Sequence, residues 1–455
     1  MIRTFKFAGS FTALALIMAA MGAQAAGFQL NEQSAVSVGM ANAGTGVEKD
    51  ASVQFMNPAG ITALKGLNLL SGANLYVIDA NFKNGGSTNA LGQPLGSDSD
   101  SSTNRLAPYG YASYGVNDQV FVGLGVYSPF GLATNYGDNS STRYFADASD
   151  LRTIEINPNI AVKLMPSLSI GAGPAIRYST ANFSSGIDDG SLGAAAAIRT
   201  AAASAIPASI SSGPAIAAGG PSVNNGRFRA QGDDWAVGYK IGTLFTPDDK
   251  TAIGIAYHSA IQSVLSGNAT TDNGGVKTPL AQAAAALTSY NGPVTAKVDY
   301  PDSITVSGSY QIASNLKLAG DFEWTDWSQF KNLTISGANG APVSSTTENW
   351  NDGYRVSIGG EYGLTDQWTL RSGLAYEISP VPDATRTARI PDADRVWLSG
   401  GVGYAITPQV SFDFGYSHLF VAGASINQAN SLAGTLVGNY DSSADILSAD
   451  VSYHF

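Results

Sequence analysis

Asp394–Phe420, DRVWLSGGVGYAITPQVSFDFGYSHLF, is two alternating segments with three residues between them. In 394–405, Val396, Leu398, Val402 and Tyr404 share one face, and Arg395, Trp397, Ser399, Gly401 and Gly403 share the other. A period of two is the mark of a strand. The joint Thr407-Pro408-Gln409 is turn-like, because proline fixes φ and has no N–H to give to a ladder. One face is branched and aromatic, as lipid contact demands. The other carries the charge, which at a bilayer midplane would cost ~2–4 kcal/mol for Arg or Lys.

The same pattern recurs. Trp368, Leu370, Leu374, Tyr376 and Ile378 oppose Arg371, Gly373 and Glu377; Tyr354, Val356, Ile358 and Tyr362 oppose Arg355, Ser357 and Glu361; Leu447, Val451, Tyr453 and Phe455 oppose Asp450, Ser452 and His454. The spacing predicts fourteen strands: 67–83, 105–115, 120–134, 151–164, 168–183, 227–245, 251–266, 295–311, 316–331, 351–363, 367–378, 394–406, 410–420 and 442–455. Short joints such as 116–118 and 165–167 alternate with long ones: 84–104, 135–150, 184–226, 267–294, 332–350, 379–393 and 421–441. This sorting predicts an all-β fold, a transmembrane antiparallel up-and-down β-barrel with turns on one side and loops on the other. An even strand number puts both termini in the periplasm.

Composition agrees. Charged residues make up 13 % of the 455, about half the ~25 % of soluble domains. Hydrophobic residues reach 44 %, yet no stretch after the leader is apolar for the ~18 residues of a membrane helix. Residues 1–25 read as a signal peptide: Arg3 and Lys6, a short apolar run, then Ala23-Gln24-Ala25 as cleavage site. The chain has no cysteine, so it has neither disulfides nor a thiolate metal site. A net charge of −11 argues against nucleic acid. His258, His418 and His454 lie on different strands without metal spacing, and no nucleophile elbow or phosphate loop occurs. His258 and His418 are the only imidazoles that could serve as bases. No enzyme, metal or cofactor is expected.

Three features do not follow the strand rule. Gly27–Gly60, GFQLNEQSAVSVGMANAGTGVEKDASVQFMNPAG, has no period and is too polar to span a membrane. It reads as a disordered arm or as a plug within 26–66 inside a barrel of 67–455, ending in the turn element Asn57-Pro58-Ala59. Ser128, Pro129, Phe130 and Gly131 interrupt the third strand, as a bulge or as an inward kink that opens the wall. Ala-rich pieces at 192–206 and 279–287 read as short helices on the outer loops, packing over the mouth or shaping an apolar groove. Glu348, Arg355, Glu361, Arg371, Glu377 and Arg395 cluster on the lumen face of neighbouring strands. They line a solvated channel or hold the plug.

An ordered set of motifs carries a resemblance. GFQLNE at Gly27, then Asn57-Pro58-Ala59, EWTDWSQF at Glu323–Phe330, DGYR at Asp352–Arg355, SPVP at Ser379–Pro382 and IPDADRVWLSG at Ile390–Gly400 resemble the outer-membrane long-chain fatty acid transporter family of the FadL type. The resemblance covers most of the mature chain and is weakest in 84–104 and 184–294. It implies a monomeric barrel of fourteen strands plugged by an N-terminal hatch. Long-chain fatty acids or similar hydrophobic molecules would be captured in an apolar groove between loops 184–226 and 267–294 and pass to a pocket above the hatch. They would leave sideways into membrane lipid at the Ser128–Gly131 kink, without a cofactor. Asn57, Pro58 and Ala59 would gate; Glu348, Arg355, Arg371, Glu377 and Arg395 would hold the hatch; Phe455 would be the signal read by the assembly machinery. The chain departs from the family at Ser185 and Thr346, where fatty acid-binding members carry basic residues. Arg177, Arg227 and Arg229 are the candidate substitutes for the carboxylate. Neutral aromatic hydrocarbons are therefore the nearest alternative ligands. A porin-like channel for polar solutes is the alternative of another class, and an adhesin or phage-receptor role for the loops could accompany transport.

Overall fold

The computed structural model describes residues 27–189, 191, 226–273 and 289–455; the leader and both Ala-rich loop pieces lie outside them. Hydrogen-bonded segments join edge to edge into fourteen antiparallel wall strands. In order they are Leu67–Asn84; Thr103–Gly115; Val120–Tyr127 continued by Gly131–Asn135; Ala148–Met165; Leu168–Ile187; Gly226–Phe245; Thr251–His258 with Ile261–Asp272; and Gly292–Tyr300 with Ser303–Ala313. The ninth to fourteenth are Leu316–Thr325 with Asn332–Gly337; Pro342–Thr347 with Gly353–Gly363; Trp368–Ile378; Arg395–Thr407; Val410–Val421 with Ala424–Asn430; and Gly434–His454. The first and last strands pair from Asn68↔His454 to Asn84↔Gly438, which closes the barrel. Closure satisfies the backbone groups that lipid cannot.

The outer surface is apolar. Val356, Ile358, Leu374 and Leu398 are exposed, between Trp235, Tyr354, Tyr376 and Phe420 toward the long-loop end and Tyr114, Tyr310, Tyr362 and Trp368 toward the turn end. Two aromatic girdles around an aliphatic band are the outer face of a barrel in lipid.

Strand bounds differ from expectation in two ways. Strands are broken where a residue cannot pair on both sides: Pro301 separates the two halves of the eighth strand, and a 3-10 turn, Trp327–Gln329, ends the ninth at Thr325 instead of 331. Joints 332–350 and 421–441, expected as loops, contain ladder as well. Asn332–Gly337 pairs with Pro342–Thr347, and Ala424–Asn430 pairs with the start of the last strand. Their Ser, Thr and Asn content hides a strand that stands above the membrane, where no apolar face is needed.

The N-terminal segment lies inside. Every residue from Leu30 to Val47 is buried. It forms a short helix, Ala35–Gly39, capped by Ser34 and Ser37 in a reciprocal box, a second, Val53–Met56, and a 3-10 helix, Pro58–Ala63. Glycine on the lumen face lets its backbone come close. A Cβ on Gly242 would stand 2.0 Å from Asn57 Oδ1, and one on Gly373 would stand 2.1 Å from the Met40 carbonyl.

Candidate functional site

Asn57 is fully buried and ties three pieces of chain. Its Nδ2 donates to the carbonyls of Gly46 (3.0 Å) and of Thr243 on the sixth strand (2.9 Å), and its Oδ1 accepts the Ala59 N–H (3.0 Å). Pro58 takes the first helical position, where a missing N–H costs nothing. The element is a capped helix start seated on the wall. Beside it, Lys240 Nζ donates to the Phe55 carbonyl (2.9 Å), and His258 Nε2 lies 2.8 Å from the Met56 carbonyl. His258 thus serves the hatch, and His418 lies against Asp445.

The wall is open beside the third strand. The second strand pairs with the third only from Gly110↔Val126 downward. Above Ser128-Pro129-Phe130, Gly131–Asn135 pairs with the fourth strand alone, and Gly131 to Thr134 are buried on both faces. The segment has bent inward, so among the described residues Thr103–Tyr109 has no ladder partner on that side. Pro129 cannot donate to a ladder, which is the local reason for the break. The hatch fills the inner side of the opening. Leu30 N donates to the Pro129 carbonyl (2.8 Å), Gly131 N to the Phe28 carbonyl (2.9 Å), and Gln33 Nε2 to the Ser128 carbonyl (2.9 Å).

Phe28 itself points into an aromatic chamber. Its ring lies 4.7 Å from Trp327, 5.8 Å from Trp350, 5.9 Å from Phe330, 6.0 Å from Phe130 and 6.1 Å from Tyr300, centroid to centroid. The buried apolar cluster continues through Leu151, Phe183, Leu265, Val298 and Ile390. On the turn side of the hatch the character reverses. A cavity of about 340 Å³ there is lined by Glu48, Asp50, Lys317, Glu361, Arg371 and Asp413.

The lumen charges of the ninth to thirteenth strands form three groups. Arg355 pairs with Glu323 (2.6 Å), whose oxygens also accept from Gln29 (2.9 Å) and Asn31 (3.0 Å) of the hatch. Arg395 bonds Asp392 and approaches Glu377 (3.5 Å), and Asp392 accepts the Gly27 N–H (2.9 Å). Arg371 joins Glu361 (2.8 Å) and Asp413 (2.5 Å) at the lower cavity without a hydrogen bond to the hatch. Glu348 stands apart, above the outer girdle. One of its oxygens accepts the Trp350 indole N–H (3.0 Å), and burial pushes its carboxyl up to about 8. Sequence reasoning missed Asp321, which accepts the Gly44 and Thr45 N–H groups (2.8 and 3.1 Å), and Asp450, which accepts the Ala35 N–H (2.7 Å). Inward-facing acids on alternating strands were the available signal.

The proposed carboxylate-binding arginines are not alike. Arg177 is buried with its guanidinium 4.6 Å from the Phe130 and Tyr300 rings, but Glu155 holds it at 2.5 Å. Arg227 is held by Asp138 and Asp147, both at 2.7 Å. Arg229 is exposed, between inward-facing Phe228 and Ala230, so it faces away from the chamber. Ser185 lines an outer cavity of about 270 Å³ with Tyr144, Phe228, Val343 and Leu432, and Thr346 sits across from Leu333 in the hairpin below. Arg389, which the sequence did not single out, lies 5.5 Å over the Phe183 ring, bonded to Ser149 Oγ and the Ser184 carbonyl. It makes none of the ion pairs found among the described residues, although Asp147 and Glu348 stand near enough to act on its charge. Phe455 is exposed, its N–H on the Leu67 carbonyl (2.8 Å).

Comparison with known proteins places this geometry. A family model described as "Outer membrane protein transport protein (OMPP1/FadL/TodX)" matches residues 16–455. The chain is 31 % identical over 444 residues to the 47 kDa outer membrane protein of Pasteurella multocida, with 92 % of this chain and 93 % of that protein covered. It is 30 % identical over 422 residues to a long-chain fatty acid transport protein of Escherichia coli O6:H1, covering 91 % of each. Among solved structures it resembles a Pseudomonas aeruginosa FadL homologue, with a TM-score of 0.83, 26 % identity, and coverage of 94 % of this chain and all of the other. The Pseudomonas putida toluene transporter TodX, at 16 % identity and a TM-score of 0.69 over 94 % of this chain and 99 % of that one, shares the fold.

Proposed function

This chain belongs to the FadL/TodX family of outer-membrane transporters of hydrophobic compounds, and from that premise we propose that it takes up long-chain fatty acids by passive, ligand-displaced gating. The outer cavity receives the ligand, the aromatic chamber binds it, and the wall break beside the third strand releases it into lipid.

One observation carries the reading. The residue that fills the chamber, Phe28, belongs to the same three-residue stretch that stoppers the break through Leu30 N and the Phe28 carbonyl. A ligand that takes the place of the Phe28 ring must move that stretch, and moving it opens the wall. The charged cavity beneath the hatch supports a sideways route, because an apolar tail gains nothing by descending among Glu48, Asp50 and Arg371. Arg389 at the edge of the apolar cluster supplies a guanidinium for a carboxylate. Uptake of neutral aromatic hydrocarbons is the second reading. It is favoured by Ser185 and Thr346 and by the closed ion pair of Arg177.

Binding of oleate and of toluene to the purified protein decides between them. Saturable oleate binding establishes the fatty acid reading, and toluene binding alone establishes the hydrocarbon one. Phe28→Ala removes the internal competitor, whose packing is worth ~3–5 kcal/mol. The expected result is binding at least tenfold tighter; unchanged or weaker binding would sink the displacement mechanism.

A further inference from the structure

The break in the wall has an outer margin as well as an inner stopper. Arg105 on the second strand and Asp150 on the fourth approach to 3.5 Å, Nη2 to Oδ2, past the inward-bent third strand. In an unbroken sheet these two strands would stand ~10 Å apart with a third between them. Arg152 grips the same carboxylate with Nε at 2.6 Å and Nη2 at 2.9 Å. Two guanidiniums therefore share one carboxylate, which leaves the cluster one positive charge in excess. Arg105 Nε is buried and has no hydrogen-bond partner.

The height of the cluster matters. Leu151 faces the buried core, so Asp150 and Arg152 face outward, and Leu164 is exposed near the lower end of the same strand. Arg105 pairs with buried Tyr76 and shares the face of Ala107 and Tyr109, so it leaves the second strand on the lumen side and meets Asp150 through the break. The twelve residues from Arg152 to Leu164 span ~40 Å along a strand tilted about 45°, so ~28 Å of height, against an apolar band of ~25 Å. Arg152 stands at the level where hydrocarbon gives way to headgroups. An amphiphile passing sideways through the break brings its tail among the outward apolar side chains, such as Leu106, and its carboxylate to this level. A carboxylate left there without a partner is costly.

We propose that Arg105, which reaches through the wall break from the lumen face, and Arg152, at its outer margin, form an exit-side binding site for the carboxylate of a departing amphiphile, with Asp150 as the internal anion it displaces. The proposal rests on the fatty acid reading given above. Arg105 is the residue to be taken over first, because its contact with Asp150 is long while that of Arg152 is bidentate. A neutral hydrocarbon has no group to place there and passes without it.

The test is uptake of labelled oleate and labelled toluene by cells carrying the full-length protein, with heat-modified electrophoretic mobility as the check on folding. Arg105→Gln with Arg152→Gln is expected to lower oleate uptake roughly tenfold, as loss of charge-assisted bonds implies, and to leave toluene uptake unchanged. The paired lysine variants should restore most of it. Asp150→Asn, which removes one charge and keeps the shape, should slow release of bound oleate into vesicles several-fold. Oleate uptake unchanged by the double glutamine variant overturns the site, and so does an equal fall for both ligands. If the wild-type protein takes toluene and no oleate, the fatty acid reading itself has failed and the site has no ligand. If the double variant does not fold, unchanged oleate release from Asp150→Asn overturns the proposal.

Discussion

At the scale of single residues, the hatch is held mostly through its backbone. Asp321, Asp392 and Asp450 accept main-chain N–H groups, and Asn57 both donates to and accepts from main chain. An acceptor buried with its donor is costly to remove. Asn57→Ala deletes a helix cap and leaves the Gly46 and Thr243 carbonyls short of a donor; ~1 kcal/mol is the usual size of a lost cap. The expected outcome is tryptic cleavage at exposed Lys49 about fivefold faster, read on the intact barrel. An unchanged rate would show that the wall holds the hatch without this residue. The sequence marked Asn57-Pro58-Ala59 as special because proline and its neighbour restrict the chain whatever surrounds them. It did not mark Asp321, and it placed Asp450 on the lumen face without a role, since an inward acid acquires one only once something lies inside. Attention fell instead on arginines. Arg355 and Arg395 do belong to pairs that touch the hatch, whereas Arg371 closes an ion chain below it, and Glu348, beside Trp350, lies away from it.

At the scale of elements, the third strand and the start of the hatch form one device. Gln29 and Phe130 face each other in an isolated antiparallel bridge. Opposed residues of that kind have Cα atoms ~4.5–5.5 Å apart, within reach of a disulfide. The chain has no cysteine of its own, so Gln29→Cys with Phe130→Cys gives a single clean crosslink. Uptake should fall to background when it is oxidised and return with a reductant. Uptake that persists through the crosslink would mean that the ligand leaves elsewhere. The interruption was legible, as Pro129 and Gly131 in an alternating run are incompatible with an even ladder. That the strand turned inward was not, because a bulge has the same local sequence. The hairpin of Asn332–Gly337 and Pro342–Thr347 was hidden for another reason: it lies beyond the lipid and has no apolar face to betray it.

At the scale of the whole molecule, the hatch decides what kind of barrel this is. Fourteen strands around a buried N-terminal segment should conduct few ions. In planar bilayers the intact protein is expected to show little conductance, and a form lacking 27–60 should show large, steady openings. Steady openings from the intact protein would favour a diffusion channel instead. The barrel was legible because lipid on one side and polar interior on the other impose alternation on nearly every strand, and because turns and loops sort to opposite ends. The chamber was not, since Tyr300, Trp327 and Trp350 sit at irregular strand ends of three neighbouring strands, and Phe28 and Phe130 reach them from distant parts of the chain.

The seam between the first and last strands, Asn68↔His454 to Asn84↔Gly438, has a bearing on biogenesis. The segment that precedes the first strand ends up bonded to the sixth strand through Thr243, the ninth through Asp321 and the last through Asp450. These bonds reach around the circumference, and Ala35 and Asp450 are 415 residues apart. A finished ring could not easily be threaded by a peptide that must seat several short helices among glycines on its inner surface. The order these bonds predict is a seam that shuts last, around a core already in position. A form lacking 27–60 is then expected to close more slowly than the intact chain during refolding, read by heat-modified electrophoretic mobility; equal rates would show that the ring needs no internal template.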